Sequence, residues 1–386
     1  MTFAFLPGNR IDLLETGAAF FPALIAAVDA AGEEVRLETY IFADDATGRT
    51  VAAALARAAA RGVRVRVLVD GFGARDFMTG IGGELAARGV EVLVYRPEVA
   101  LLRLRRHRLR RLHRKLAAID ARIAFVGGIN IIDDSNTPGQ VPPRYDYAVR
   151  IEGPLLGEID AAMHHLWHMV RWASFRRRHG EPPALRPAST PRGATRAAFM
   201  IRDNLRHRRD IEDAYLEAIA AARHEIVLAH AYFLPGHRFR HALMAAAGRG
   251  VRVIVLLQGR VEYVLLHYAS QALYGALLGA GIRLYEYRKS FLHAKVAVID
   301  NDWATVGSSN IDPFSLLLAR EANVVVLDQG FAVALRHSLQ RAMEAGASEV
   351  RREQWNRKPL LARAANWMAY GLVRMMIGIA GYGGKH

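Results

Sequence analysis

The feature that most constrains this chain is an internal duplication, because two parts of it carry the same landmarks in the same order. The apolar run at residues 35–42 resembles the run at residues 226–233, and the segment RGVRV occurs at residues 61–65 and again at residues 249–253. In each copy of RGVRV a glycine ends an alanine-rich helical pattern and a β-branched strand begins. Such a repeat predicts two similar structural units rather than one continuous domain.

Strand-like runs alternate with helical patterns along both copies. Strands that alternate with helices of about 10–15 residues are typical of α/β units. We therefore predict an α/β fold with two similar domains, residues 1–180 and 196–350, each a mixed β-sheet flanked by helices. The Pro-, Ser- and Thr-rich residues 181–195 lack periodicity and predict a linker. Residues 351–386 form a basic and apolar C-terminal tail.

A third duplicated landmark carries the chemistry. Its two versions are LHRKLAAID and LHAKVAVID, which share the spacing His-x-Lys-x4-Asp. The residues concerned are His113, Lys115 and Asp120 in the first copy and His293, Lys295 and Asp300 in the second. We predict that both copies contribute to one active site, which lies at a pseudo-twofold interface between the two domains.

Each motif is followed by a short glycine-containing segment that ends in asparagine. This asparagine is Asn130 in the first copy and Asn310 in the second. The position of Ser308 in the second copy is occupied by Gly128 in the first, which removes one hydroxyl donor. We therefore expect the two half-sites to differ.

Strand geometry separates the aspartates from the other motif residues. Side chains alternate between the two faces of a strand, so the histidine and the lysine of each motif share a face. Asp120 and Asp300 lie an odd number of residues away and point elsewhere. We expect them to make turn or interdomain hydrogen bonds rather than to act in catalysis, although the motif places them among the catalytic candidates.

The motifs also predict β-hairpins. The polar residues 301–302 indicate a turn, and residues 121–122 hold the equivalent position in the first copy. A hairpin centred there sets each histidine opposite the asparagine of its own copy. The two predicted pairs are His113 with Asn130 and His293 with Asn310.

The residue types in these motifs fit displacement at a phosphodiester. Lysine, asparagine and serine donors stabilise the charge that develops on the phosphoryl oxygens, and each preorganised donor contributes about 2.7–4 kcal/mol. Near neutral pH, one histidine can act as nucleophile or base while the other acts as a protonated acid. Asp146 and Glu321 follow the two motifs and are predicted to hold the second ring nitrogens.

The amino-acid composition restricts the possible binding partners and the possible types of reaction. The formal net charge of +15 predicts an anionic partner, either nucleic acid or an acidic lipid surface. The absence of cysteine excludes thiol nucleophiles, disulfides and Cys-ligated zinc.

The N-terminus lacks a basic segment followed by an apolar one, and no uncharged apolar run reaches about 18 residues. We expect neither secretion nor a membrane-spanning helix.

Two segments combine basic and apolar residues. Eight of the thirteen residues at 103–115 are Arg or Lys, with leucines interleaved, and residues 360–382 are apolar with two arginines. Both are compatible with a membrane surface, where apolar side chains enter the interface and cations meet headgroups. A solvated face for the first and a core helix for the second are the alternatives, and a nucleic-acid backbone would use the same basic run.

The duplicated motifs resemble those of the phospholipase D superfamily, in which His-x-Lys-x4-Asp is followed by Gly-Ser or Gly-Gly and asparagine. Within that superfamily the segments LETYIF, YDYAVRIEGP and VGSSNIDPFSL are most similar to bacterial cardiolipin synthases of the B type. The resemblance covers nearly the whole chain. It implies a phosphohistidine intermediate, with His113 as nucleophile and His293 as acid, and neither metal nor cofactor. The near-symmetry of the half-sites leaves the order of the two histidines open.

The leading hypothesis is a phosphatidyltransferase that condenses phosphatidylglycerol with a second lipid alcohol. Its expected partners are anionic phospholipid and the membrane surface rather than nucleic acid, at the cytoplasmic side of the inner membrane. A hydrolytic phospholipase D would use the same residues with water as acceptor. A nuclease of the superfamily and a non-catalytic lipid-binding module are the remaining alternatives, and the complete His, Lys and Asn sets speak against the latter.

Overall fold

The computed structural model describes residues 4–97, 110–174, 185–203, 207–312, 319–357 and 359–377, and the following account refers to these residues. Most of the basic run at 103–115 lies outside them, as do the last residues of the apolar tail.

The first half begins with a long strand and continues with alternating strands and helices. Its elements are β1 (Leu6–Glu15), α1 (Thr16–Asp29), β2 (Glu34–Thr39), α2 (Ala46–Ala60), β3 (Arg64–Asp70), α3 (Ile81–Ala87), β4 (Glu91–Tyr95), β5 (Arg111–Leu112), β6 (Lys115–Ile119), β7 (Ile123–Gly127), β8 (Arg144–Tyr145), β9 (Tyr147–Glu152) and α4 (Leu156–Ala173).

The second half follows a similar order and has further elements at its end. Its elements are β10 (Thr195–Arg202), α5 (Asp210–Ala221), β11 (Glu225–His230), α6 (His237–Gly248), β12 (Arg252–Gln258), α7 (Val264–Gln271), α8 (Tyr274–Gly279), β13 (Arg283–Tyr287), β14 (Phe291–Leu292), β15 (Lys295–Ile299), β16 (Trp303–Gly307), β17 (Ala319–Leu327), α9 (Gln329–Gly346), β18 (Ala347–Glu349), α10 (Arg352–Asn356) and α11 (Leu360–Ile377).

The sheets of the two halves have the same strand order. It is β1-β9-β7-β6-β2-β3-β4 in the first half and β10-β17-β16-β15-β11-β12-β13-β18 in the second. The pairs β2–β3, β3–β4, β11–β12 and β12–β13 are parallel, whereas the strands that carry the motifs are antiparallel to their neighbours. The predicted α/β fold of two similar units with mixed sheets is confirmed. Because β1 pairs with β10, the two sheets form one continuous sheet.

The two halves also share a hydrophobic core. One cluster of buried apolar side chains contains residues of both sheets, including Leu116, Val149, Val296 and Val324, none of which is more than 1% exposed. Burial of an aliphatic side chain contributes about 1.5–3 kcal/mol. The shared cluster therefore holds the halves in a defined relative position, which a site built from both of them requires.

The RGVRV segments end helices as predicted. Gly62 and Gly250 follow α2 and α6 with φ angles of +86° and +90°. This left-handed conformation suits glycine because a Cβ atom would clash with the backbone. The apolar runs are shorter strands than predicted, since β2 ends at Thr39 and β11 ends at His230.

The predicted hairpin register is wrong by one residue. Val296 pairs with Val306 and Leu116 pairs with Val126, which centres the hairpins on Asn301 and Ala121, half a residue before the predicted midpoints. Neither histidine therefore lies opposite the asparagine of its own copy. The reason is a three-residue loop in which the first two residues adopt positive φ angles, 53° and 56° in the second copy.

The motif aspartates fix these loops. The Asp300 carboxylate accepts hydrogen bonds from the N–H groups of residues 223–225 at 2.7–2.8 Å. The Asp120 carboxylate accepts three equivalent bonds from residues 32–34 at 2.8–2.9 Å. Burial opposes the charge of Asp300, but the backbone donors outweigh it and lower the pKa of this carboxyl group. Both aspartates point away from the histidines, as strand parity predicted. Their contacts are with the start of a neighbouring strand of the same half, so the predicted interdomain hydrogen bonds are not formed among the residues that the structure describes.

Candidate active site

Short strands from each half cross to the other and bring the histidines together. Strand β5, just before His113, pairs with β17 of the second half, and β14, just before His293, pairs with β8 of the first. The His113 N–H group donates to the Arg320 carbonyl at 2.9 Å, and the His293 N–H group donates to the Tyr145 carbonyl at 2.8 Å. Each histidine is thus attached to the strand that carries the acidic residue of the other half.

The acidic residues contact the histidines in a crossed arrangement. The His113 Nδ1 atom lies 3.0 Å from a carboxylate oxygen of Glu321, and the His293 Nδ1 atom lies 2.6 Å from the Asp146 Oδ2 atom. The sequence had shown one acid after each motif but not which histidine each would contact. With Nδ1 bound to a carboxylate, Nε2 of each ring is the nitrogen available to a reacting phosphorus or proton.

Both motif lysines are buried beside these rings. Lys115 is 5% exposed and Lys295 is fully buried. The Lys295 Nζ atom lies 3.1 Å from Asp146 Oδ2, and each lysine donates to the carbonyl group of its own histidine. Burial lowers the pKa of Lys115 to about 7, although the Glu321 carboxylate opposes this shift. Burial also lowers the pKa of Lys295, with Asp146 opposing it. Both ammonium groups therefore gain from a bound anion.

The electrostatic environment of His293 favours its neutral form. Burial, followed by the neighbouring Lys295 charge, lowers the pKa of His293 to about 3, and Asp146 only partly offsets this. A phosphodiester bound at the lysines would offset their positive charge and raise this pKa again. The imidazole is therefore neutral before substrate binds and becomes easier to protonate once substrate is present.

The motif asparagines connect the site to the ends of the central strands. The Asn130 Oδ1 atom accepts the Ile41 N–H group at 3.1 Å, and the Asn310 Oδ1 atom accepts the Tyr232 N–H group at 3.3 Å. These bonds fix the orientation of each side-chain amide, so its NH2 group can act as a donor to a ligand. Residues 40–42 and 231–233 leave the strand geometry here, which explains why the predicted strands end early.

Gly128 and Ser308 differ because the first lies against Asp146 and the second against the longer Glu321. The Ser308 hydroxyl donates to Glu321 at 2.5 Å and accepts the Ala322 N–H group at 3.0 Å. A Cβ atom added at Gly128 would lie 2.4–2.7 Å from the Asp146 carboxyl group, well inside van der Waals contact. The shorter aspartate brings its carboxylate closer to the backbone than glutamate does. Glycine is therefore required in the half-site that uses aspartate.

Two further residues of the site were missed from the sequence. The Tyr40 ring lies 5.0 Å from the His113 ring, and Lys115 Nζ lies 5.5 Å from the Tyr40 centroid. Arg144 is 7% exposed, its guanidinium lies 5.3 Å from the Phe291 ring, and its Nη1 atom has no hydrogen-bond partner among the described residues. The signal for Arg144 was its position two residues before Asp146, on the same side of an extended chain.

Solved structures share this architecture. The chain superimposes on phosphatidylserine synthase of Haemophilus influenzae Rd KW20 with a TM-score of 0.70 and 13% identity, covering 96% of this chain and 97% of that one. Polyphosphate kinase of Porphyromonas gingivalis gives a TM-score of 0.57 and 16% identity over 96% of this chain and 53% of that one. At these identities the likeness shows the fold alone. The duplicated fold and the paired His-Lys half-sites define an enzyme of the phospholipase D superfamily.

The sequence comparisons are more specific. The profile described as "Cardiolipin synthase, PLD-like domain" matches residues 24–167 and 215–343, and the chain belongs to this family. Cardiolipin synthase B of Escherichia coli K12 is 40% identical over 365 residues, 90% of this chain and 85% of the relative. Cardiolipin synthase A of Pseudomonas putida KT2440 is 30% identical over 88% of this chain and 69% of the relative. The resemblance stated from the motifs is confirmed.

The contact between Gly128 and Asp146 provides a first prediction. We expect Gly128→Ala to displace the Asp146 carboxylate from His293 and to lower kcat/KM by about 100-fold, comparable to loss of other groups that support a catalytic residue. Steady-state kinetics would measure the effect. Gly157→Ala is the matched control, because a Cβ atom there meets nothing within 4 Å. Equal activity of the two variants would contradict the proposed role of the close contact.

The burial of Lys115 provides a second prediction. Since its pKa is lowered to about 7, the ammonium group is charged below this pH and neutral above it. We expect kcat/KM for an anionic phosphodiester to fall as the pH rises through this range, because kcat/KM reports the free enzyme. Arginine keeps its charge, so Lys115→Arg should move the alkaline limb to higher pH, even if its maximal activity is lower. Lys289 is exposed, so Lys289→Arg is the control. If the alkaline limb of the pH profile stays at the same pH in Lys115→Arg, the limb belongs to another group.

Proposed function

We propose that this protein is a cardiolipin synthase that transfers a phosphatidyl group from phosphatidylglycerol to a hydroxyl group of a second phospholipid. The observation that carries the proposal is the pair of complete His-Lys-Asn half-sites, each joined to the acid of the other half. Two histidines at one site suit a reaction with two successive displacements at phosphorus, because one can form the covalent bond while the other transfers the proton. The cardiolipin synthase relatives support the choice of substrate.

In the first step, we assign His113 as the nucleophile. Its Nε2 atom attacks the phosphorus of phosphatidylglycerol, the bond from phosphorus to the headgroup oxygen breaks, and His293 donates a proton to the departing glycerol. Lys115, Lys295 and the asparagine amides stabilise the phosphoryl oxygens as charge builds up on them. The product of this step is a phosphatidyl group bound to His113, with His293 neutral.

In the second step, the hydroxyl group of another phospholipid enters. His293 removes its proton, the oxygen attacks the phosphorus, and the bond from phosphorus to His113 breaks. Cardiolipin and free glycerol are then the products, and both histidines have regained their initial protonation. Water in place of the lipid alcohol would give phosphatidic acid by the same steps, which is the hydrolytic alternative.

Protonation of His293, the proposed acid of the first step, depends on bound substrate. In the empty site this ring is neutral at neutral pH, since burial and Lys295 lower its pKa to about 3. The phosphodiester charge opposes Lys295, so the protonated acid forms with the substrate in place. The proposed arrangement thereby couples proton uptake to phosphate binding.

We expect the intact protein to convert phosphatidylglycerol in vesicles to cardiolipin and glycerol in the presence of EDTA, whereas His113→Ala and His293→Ala lose about 1,000-fold or more in rate. Mass spectrometry of the lipids identifies the products. Phosphatidic acid without cardiolipin would support the hydrolase instead, and full activity of both variants would exclude the two-histidine site.

The same variants distinguish nucleophile from acid. With a phosphodiester whose leaving group is a nitrophenolate, no acid is needed for the first step. His293→Ala should then accumulate a covalent phosphoryl adduct at His113, and His113→Ala should not. Intact-mass measurement would detect the adduct, and the reverse pattern would exchange the two roles.

The proposed place of action is the surface of the inner membrane on its cytoplasmic side, and helix α11 supports a surface location. Leu361, Met368, Leu372 and Met375 are 44–85% exposed and follow helical spacing along one side. The buried residues of α11 lie on the opposite side, where the helix packs against α7. Within the described residues, no helix combines the length and apolar character that crossing a bilayer requires.

One flank of α11 carries residues suited to binding anionic lipid. Arg363 and Arg374 lie eleven residues apart, three turns along one flank of the apolar stripe, and Trp367 lies on the same flank with 55% of its surface exposed. An apolar stripe bordered by cations and tryptophan is typical of a helix that lies in a membrane interface. The overall charge of +15 adds attraction to an acidic surface.

We expect the double substitution Met368→Glu and Leu372→Glu to abolish most binding to phosphatidylglycerol vesicles, because it places two carboxylates in the apolar stripe. Vesicle co-sedimentation measures binding, and activity on a water-soluble phosphodiester should stay unchanged. Ala87→Glu with Ala245→Glu adds the same charge at exposed positions of two other helices and is the control. Equal loss of binding in both double variants would show a general charge effect and contradict a specific role of α11.

A further inference from the structure

A cleft lined by both polar and apolar side chains lies beside the second half-site, and the motif residues do not account for it. It is partly open to solvent and is formed by the segment after β11, the end of β12 and the segment leading into α7. Among its lining residues are Ala231, Tyr232, Gln258, Arg260, Glu262 and Tyr263.

The cleft is attached directly to the catalytic motif. The Ala231 N–H group donates to the carbonyl of Ala294, the residue between His293 and Lys295, at 2.9 Å. The next residue, Tyr232, donates its N–H group to Asn310 Oδ1 at 3.3 Å. The segment that lines the cleft is therefore hydrogen bonded both to the backbone between His293 and Lys295 and to the motif asparagine.

Gln258 is the polar group in the cleft that most needs a ligand. It is 6% exposed, and neither its Oε1 nor its Nε2 atom has a hydrogen-bond partner among the described residues. Leaving such atoms unpaired costs about 1–3 kcal/mol each. The equivalent residue at the end of β3, Asp70, is satisfied by the N–H groups of Leu112, Phe72 and Gly73. The unsatisfied amide is thus a difference between the two half-sites rather than a property of the repeat.

The other polar groups indicate the chemistry of the ligand. The Tyr232 hydroxyl donates to Glu262, and burial raises the pKa of Glu262 while Tyr232, Lys295 and Arg144 oppose the rise. The Glu262 carboxylate accepts hydrogen bonds and repels phosphate, whereas the Gln258 amide both accepts and donates them. A ligand with several hydroxyl groups satisfies both, because each hydroxyl is a donor and an acceptor. A phosphate group fits the lysines of the motif instead.

We propose that this cleft is the alcohol subsite of the enzyme and binds the glycerol headgroup through Gln258 and Glu262. The inference rests on the proposed function and adds to it the residues that recognise the alcohol, a polyol with neighbouring hydroxyl groups. The leaving glycerol of the donor and the glycerol headgroup of the acceptor occupy the same subsite in turn, since the second step reverses the geometry of the first. Gln258 and Glu262 thus determine which alcohol replaces water.

A competition experiment measures this selectivity. The full-length protein is given phosphatidylglycerol vesicles with deuterated glycerol and ethanol at equal concentration, and the deuterated phosphatidylglycerol and phosphatidylethanol are quantified by mass spectrometry. The ratio of the two products reports the alcohol subsite alone, because it does not depend on the amount of folded enzyme or on donor binding. We expect the wild-type ratio to favour glycerol and Gln258→Leu to lower it tenfold or more, the loss expected for about one to two hydrogen bonds.

A second variant and a control complete the test. Glu262→Gln keeps the shape of the side chain but removes its charge, and it should lower the same ratio in the same direction. Gln340→Leu, on α9 where the amide pairs with Arg336 and Glu344, should leave the ratio unchanged. An unchanged ratio in both cleft variants would overturn the subsite, as would loss of both products in both variants. A wild-type protein that forms neither product would contradict the proposed function itself.

Discussion

The active site depends on one interaction, the hydrogen bond from each histidine to a carboxylate of the other half. His113 and Glu321 are 208 residues apart, and His293 and Asp146 are 147 residues apart. Neither half can orient its own histidine, so the site exists only when both halves are folded and correctly placed. The continuous sheet through β1 and β10 and the shared apolar core provide that placement. The two halves must therefore stay associated for both histidines to be oriented.

A second constraint is the burial of positive charge. Lys115 and Lys295 lie beside two histidines and are only partly compensated by Asp146 and Glu321. Burial lowers the pKa of both lysines and keeps His293 neutral. A phosphodiester supplies the missing negative charge, so substrate binding relieves an unfavourable arrangement that the fold maintains. Recognition of phosphate and preparation of the acid therefore have the same electrostatic cause.

The two half-sites have diverged while keeping the same backbone. In the first motif Gly128 makes room for the Asp146 carboxylate, and in the second Ser308 donates to the longer Glu321. At the ends of the equivalent strands β3 and β12, the Asp70 carboxylate accepts three backbone hydrogen bonds, whereas the Gln258 amide has no hydrogen-bond partner among the described residues. Such differences fit the proposed asymmetric reaction, in which one half-site forms the covalent bond to phosphorus and the other binds the alcohol.

The sequence by itself determined the duplication, the α/β class and the identity of the motif residues, because these are written in local spacing and periodicity. Strand parity also separated Asp120 and Asp300 from the histidines. The hairpin register was misjudged by one residue, since Asp300 holds its loop through the distant N–H groups of residues 223–225. Only the tertiary structure decided three other features. They are the contact of each histidine with the acid of the other half, the lowered pKa of both lysines, and the lack of hydrogen-bond partners for Gln258 among the described residues. All three arise from contacts between residues far apart in the chain, and local patterns contain no information about such contacts.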